Sequence, residues 1–247
     1  MKQKIQITAA ELKTAAYLLM ILNHVMYALF PKIPGAPAWV SEIHWFITRP
    51  SFVLFAFLLS EGMVYSRNRH KYLARLGLLA LLSEIPFDLA LHGGIWVSGS
   101  QNVFFTLFLA AFAITAAEEL ENEESMRAGI CLAVCAAAVL LRSDYDALGV
   151  ALVLVFYYYR HQRGKCLFLA ACLLFFGMGA KALWDLRSYG WLWDRAWYYG
   201  AMELHGALAF PLILLYHGEK GRQLPKSIYY AIYPVHLLLI ALIKAVR

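Results

Sequence analysis

A chain of 247 residues with 62% hydrophobic and 15% charged positions cannot surround itself with water-facing side chains, because a soluble domain carries about 25% charge. Its mean hydropathy of +0.59 and the even spread of its apolar runs predict an all-α, polytopic membrane protein. That protein is one domain over residues 1–247, with about nine transmembrane helices around a polar cavity. The net charge of +6 is no sign of nucleic acid, since the positive residues sit in short connections between apolar runs.

A spanning helix takes roughly 17–25 mostly apolar residues. In chain order the runs fall at about 12–30, 46–65, 72–91, 103–120, 128–141, 147–159, 166–184, 201–217 and 228–246. The first follows Lys2 and Lys4 but contains Glu11 and Lys13 and has no small-residue cleavage site, so it reads as a span, not a cleavable signal. The fifth and sixth are short and parted by Arg142-Ser143-Asp144-Tyr145-Asp146; they are either tilted spans or a re-entrant pair. Before the eighth, Trp191, Trp193, Trp197, Tyr198 and Tyr199 form a stretch suited to the headgroup region. Cys131, Cys135, Cys166 and Cys172 lie in apolar stretches without metal-ligand spacing and read as small buried hydrophobes. No metal is expected.

Lysine and arginine orient the chain. With the N-terminus in the cytoplasm, the inner connections hold Lys2, Lys4, the run from Arg67 to Arg75, Arg127, Arg160, Arg163, Lys165, Lys220, Arg222 and Lys226. The outer ones hold fewer: Lys32, Arg49, Arg142, Arg187, Arg195 and Arg247. The odd number of spans then puts the C-terminus outside.

Ionisable groups within spans cost about 2.5–3.5 kcal/mol each on insertion scales. Lys13, His24, Glu61, Glu84, Asp88, Lys181, Glu203, His205 and His236 nonetheless lie within or at the mouths of spans, which implies a polar interior. Glu84, Asp88 and His92 recur every fourth residue and share a stripe of the third helix. Lys13 and His24 are eleven residues apart, about 1100° of turn, so both face one way roughly 16 Å apart along the axis. Arg49 opens the second span, Asn102 the fourth, and Glu203 with His205 the eighth. The polar centre therefore faces outward, while Glu61, Arg67, Arg69, Lys71 and Arg75 lie on the cytoplasmic side. Blander readings stand beside these. The basic run also serves as a topology signal, His236 can bond a carbonyl freed by Pro234, and Lys181 can snorkel to headgroups. The sequence has neither G-x-x-x-x-G-K-[ST] nor H-E-x-x-H, which removes P-loop ATP hydrolysis and the simplest metalloprotease.

The segments LKTAAYLLMILNH (12–24), RPSFVLFAFLLSEG (49–62), RNRHKYLARLGLLALLSEIPFD (67–88), QNVFFTL (101–107) and YYAIYPVH (229–236) resemble the TraX family, known for N-terminal acetylation of conjugative pilin. The likeness is thin between 110 and 200. Lys13, ten intervening residues and His24 also resemble the signature of the transmembrane acyltransferase superfamily, which includes polysaccharide O-acyltransferases and heparan glucosaminide N-acetyltransferase. The resemblance implies a bacterial inner-membrane enzyme that passes an acyl group from cytoplasmic acetyl-CoA, or another acyl-CoA, to an acceptor on the outer side. The acceptor is a protein N-terminus, glycan, lipid or small amine. Where an aspartate is expected before the histidine, this chain has Asn23.

On that plan His24 is general base or acyl carrier, and Glu84 or Asp88 holds its tautomer in place of the missing aspartate. Arg49, Asn102 or Lys181 stabilises the oxyanion. Lys13, Arg67, Arg69, Lys71 and Arg75 meet the coenzyme's phosphates. Glu61, Lys181, Glu203, His205 and His236 are left to the acceptor or to support. Two other classes fit the same residues. A proton-coupled transporter would also bury carboxylates and histidines, though no internal repeat is visible. A non-enzymatic assembly factor for a surface appendage needs no donor, so binding or slow hydrolysis of labelled acetyl-CoA separates it from the enzyme.

Overall fold

The structure, a computed structural model, describes residues 6–30, 38–97, 99–120, 123–177 and 202–246. Its described elements are helical apart from isolated bridges. They are α1 (Ala9–Leu29), α2 (Ala38–Thr48), α3 (Pro50–Tyr65), α4 (Arg69–Phe87), α5 (Val103–Glu118), α6 (Glu124–Leu140), α7 (Asp146–Tyr158), α8 (Arg163–Cys172), α9 (Phe210–Leu215) and α10 (Lys226–Val246). Three helical stretches among the described residues are long and apolar enough to cross a membrane: Ala9–Leu29, Ile43–Tyr65 and Lys226–Val246. Val103–Glu118, Asp146–Tyr158 and Met202–Leu215 are apolar but shorter. Lys181, the Trp191–Tyr199 belt and the end of the seventh expected run lie outside the described residues.

The chain divides into two compact units, each discontinuous in sequence: Met1–Leu58 with Gln162–Pro225, and Leu59–His161 with Lys226–Arg247.

In the first unit, α1 begins with a capping box. The Thr8 hydroxyl accepts from Glu11 N at 3.3 Å, and Thr8 N donates to Glu11 at 2.8 Å, which satisfies donors the first helical turn leaves open. The loop after α9 holds the same end: Ala9 N and Ala10 N donate to the carbonyls of Glu219 and Lys220, and Lys13 Nζ donates to Gln223 at 2.7 Å. The second expected span begins earlier than hydropathy suggests. Arg49 N still donates to Trp45 O at 3.1 Å, so the helical path continues from α2 through Arg49 to Pro50, which needs no amide partner as the first residue of α3. Arg49 therefore lies inside the Ile43–Tyr65 stretch and does not open it.

In the second unit, α4 runs past Pro86 and ends in a π-turn, Asp88–His92, closed by Gly93 N donating to Asp88 O at 2.9 Å. Gly93 has φ +77°, a left-handed value that suits glycine. α4 buries Leu76, Leu79, Ala80 and Phe87, and its later turns also bury polar groups and expose apolar ones. Ser83, Glu84 and Asp88 are buried, while Leu78, Leu81, Leu82 and Ile85 are exposed. The short fifth and sixth runs form a helical hairpin, α6–α7, whose turn carries left-handed residues at Arg142, Tyr145 and Asp146. Gln101, just before α5, pairs with that turn through Gln101 N to Arg142 O and Asp144 N to Gln101 O, both 2.9 Å. The Thr106 hydroxyl adds a bond to Asp144 O.

Candidate functional site

The first unit gathers polar side chains at the end of α1 remote from Lys13. Asn23, on the last turns of α1, faces α2: its Oδ1 lies 3.0 Å from His44 Nε2 and accepts from the Thr48 hydroxyl at 3.1 Å. Thr48 also reaches back one turn to the His44 carbonyl at 2.8 Å. The next residue, Arg49, pairs with Glu203 at 2.9 Å and lays its guanidinium over the Trp45 ring, 4.4 Å from the centroid. The side chains of that pair are only 20% and 16% exposed, so water screens it less than a surface pair. His205 packs edge-on to Phe46, ring centres 4.6 Å apart, with Nδ1 buried and without a hydrogen-bond partner among the described residues. His24 is half-buried, one position beyond Asn23. Three expected residues, Arg49, Glu203 and His205, thus meet around α2, together with His44, outside the expected 46–65 run, and Thr48 within it. Asn23 lies 21 and 25 residues away from them in sequence, so no local spacing marks the contact.

In the second unit the acidic residues form clips between segments. Glu84 Oε2 accepts from Asn102 N at 3.1 Å and from Asn102 Nδ2 at 2.6 Å. Asn102 Nδ2 also donates to Ala80 O at 2.8 Å, and Oδ1 caps α5 by accepting from Phe104 N at 3.0 Å. Both amide hydrogens of this fully buried asparagine are committed. Asp88 accepts from Val97 N at 2.7 Å and faces His92 Nδ1 at 3.2 Å, as the four-residue spacing predicts. His236 Nδ1 lies 2.8 Å from Ile232 O, one turn back on α10; the carbonyl that loses its partner to Pro234 belongs to Tyr230, by the four-residue register of a helix. Glu61 is half-buried on α3.

The basic run divides by role. Asn68 caps α4, accepting from Lys71 N at 2.8 Å. Arg69 is built into the scaffold: it donates to Met63 O at 3.3 Å and to the Tyr157 hydroxyl at 3.0 Å, and lies 3.8 Å from Glu118. Arg67, Lys71 and Arg75 are exposed. Ser66 to His70, with Thr115, Glu118 and Glu119, line a pocket of about 370 Å³, small among ligand pockets of ~300–1,000 Å³. Its two carboxylates face Arg69 and His70, the latter 3.2 Å from Glu119, so among the described residues Arg67 is the basic side chain of the wall with no such counter-charge.

The family model described as TraX protein matches residues 8–244 of this chain. The chain belongs to the TraX family. A curated relative, the probable fimbrial assembly protein FimC (serogroup H1) of Dichelobacter nodosus, is 29% identical over 258 residues, covering 99% of this chain and 98% of the relative. No solved structure matches. The TraX match takes in both the α1–α2 cluster and the pocket beside α4, including the stretch from 110 to 200 where resemblance by eye is thin.

Proposed function

We propose that this TraX protein is a multi-pass protein of the bacterial cell membrane, N-terminus inside and C-terminus outside. There it transfers an acyl group from cytoplasmic acyl-CoA to an amine or hydroxyl at the outer side. The exposed Leu78, Leu81, Leu82 and Ile85 on α4, beside buried Glu84, support the membrane setting, since lipid takes the place of water around such side chains. The observation that carries the enzymatic reading is the cluster Asn23, His44, Thr48, Arg49 and Glu203 beside His24. A helix that only anchors gains nothing from so costly a set.

Coenzyme A, the carrier of the donor thioester, supplies an activated acyl group. Arg67, in the pocket wall beside α4, would hold its phosphates together with exposed Lys71 and Arg75 on α4, and Arg69 would hold the pocket's shape. At the end of α1 remote from Lys13, His24 contributes an imidazole that the transfer requires. Arg49, oriented by Glu203 and Trp45, supplies positive charge where the carbonyl oxygen becomes anionic. Lys13 lies about 15 Å from Asn23 along the helix, so one helix carries polar groups at both ends.

The likeness to a probable fimbrial assembly protein favours a second reading, a non-enzymatic factor in appendage assembly. Purified protein mixed with labelled acetyl-CoA separates the two. Binding and slow hydrolysis, with hydrolysis lost and binding kept in His24→Ala, support the enzyme. A folded protein that neither binds nor hydrolyses the thioester supports the assembly factor.

A further inference from the structure

His44 is placed with more care than packing alone requires. Asn23 reaches it from α1, and the Thr48 hydroxyl, sharing its one proton between Asn23 Oδ1 and the His44 carbonyl, holds that asparagine in place. With Oδ1 facing the ring, the tautomer that bonds it carries the proton on Nε2 and leaves the lone pair on Nδ1. The ring leans on Trp45, centres 4.9 Å apart, which restricts its rotation further. Among the described residues, the charged and titratable groups on the elements packed against it are Arg49 on its own helical path, His24 and Tyr27 on α1, and Glu203 and His205 on the segment that packs against α2.

Resting on the acyltransferase reading above, we propose that His44 is the proton acceptor of this site, with Nδ1 as its basic nitrogen and Asn23 and Thr48 as positioning residues. Nδ1 takes the proton from the acceptor's N–H or O–H as that atom bonds to the thioester carbonyl carbon. The C–S bond then breaks, sulfur leaves with the electron pair, and the imidazolium returns its proton to the thiolate. Acceptor–H and acyl thioester become acylated acceptor and free thiol, and His44 ends neutral. Asn23 thereby acts on a histidine of the neighbouring helix, a role that a carboxamide performs without adding charge.

The test uses the full-length protein in detergent, with labelled acetyl-CoA as donor, water as acceptor and release of free thiol as the readout. His44→Gln keeps an N–H donor for Asn23 Oδ1, so it should melt like wild type yet hydrolyse about 10²–10⁴-fold more slowly. Asn23→Asp places a carboxylate beside the ring and favours its charged form, which at this range moves a titration by about 1–3 pH units. The base must be neutral to act, so the acidic limb of the pH–rate profile should move upward. The His44 titration, followed by nitrogen NMR of histidine-labelled protein, should move with it. A stable His44→Gln that hydrolyses like wild type overturns this assignment and leaves the acyltransferase reading standing. If His44→Gln does not fold, the limb decides: an unmoved limb in Asn23→Asp overturns the assignment. Wild-type protein that hydrolyses nothing at any pH overturns both.

Discussion

Asn102 illustrates how the structure changes what a substitution should do. Its side chain makes three bonds: two donated, to Ala80 O and Glu84 Oε2, and one accepted, from Phe104 N at the start of α5. Asn102→Ala removes all three. Loss of a helix cap costs about 0.5–2 kcal/mol, and leaving a buried acceptor such as Glu84 short of its donor costs about 1–3 kcal/mol. The total is about 1.5–5 kcal/mol. For a chain of this size about 1 kcal/mol moves a melting midpoint by roughly 2–4 °C, so Asn102→Ala should melt about 3–20 °C below wild type in detergent. Asn102→Ser keeps a capping oxygen and loses only the amide donors, so it should fall between the two. Hydrolysis of acetyl-CoA per folded molecule should change little in either, because both amide hydrogens already serve Ala80 and Glu84. The contrary result would be a wild-type midpoint with a 10²–10³-fold loss of rate, the signature of a missing oxyanion donor. It would return Asn102 to the chemistry.

The basic run should split in the same way. Arg67→Gln should weaken acetyl-CoA binding and flatten its salt dependence while the melting midpoint stays put, whereas Arg69→Gln, which loses Tyr157, Met63 and Glu118 together, should chiefly lower the midpoint. Equal effects of the two on binding, with unchanged stability, would show that Arg69 also meets the ligand. Gly221→Ala should destabilise the start of α1, since Gly221 has φ +64° and an added Cβ would run into the Thr8 hydroxyl. Faster hydrogen exchange at Thr8 to Leu12 is the readout, and unaltered exchange would mean the loop yields. His24→Ala should abolish hydrolysis without changing the melting midpoint; near-wild-type turnover in a stable protein would remove His24 from the chemistry.

The helices were largely legible because a membrane-length apolar run leaves a strong mark on composition. The run expected at 103–120 became α5 at Val103–Glu118, and that at 228–246 became α10 at Lys226–Val246. The start of the second span was not legible, because Ser41, Glu42 and His44 dilute the hydropathy of α2 and Pro50 looks like a beginning. That same misplacement hid His44, which reads as loop until α2 is seen. The pairing of Asp88 with His92 follows from helical spacing, but the bonds from Glu84 to Asn102 and from Arg69 to Tyr157 cross between helices. No local periodicity encodes such contacts. Glu118 and Glu119 carry no local signal in the sequence; their place opposite Arg69 and His70 appears only once α4 and α5 are packed together.

The central claim is that acyl groups enter from the face bearing the N-terminus and are consumed at the other end of α1. It is tested most directly with sealed vesicles holding the protein in one known orientation. Labelled acetyl-CoA is given to one face at a time, and free thiol and labelled product are measured on each side. Thioester should be consumed only when supplied to the N-terminal face, with the label appearing on the opposite side and none in His24→Ala vesicles. Consumption from neither face, or label retained on the side of supply, would contradict the account.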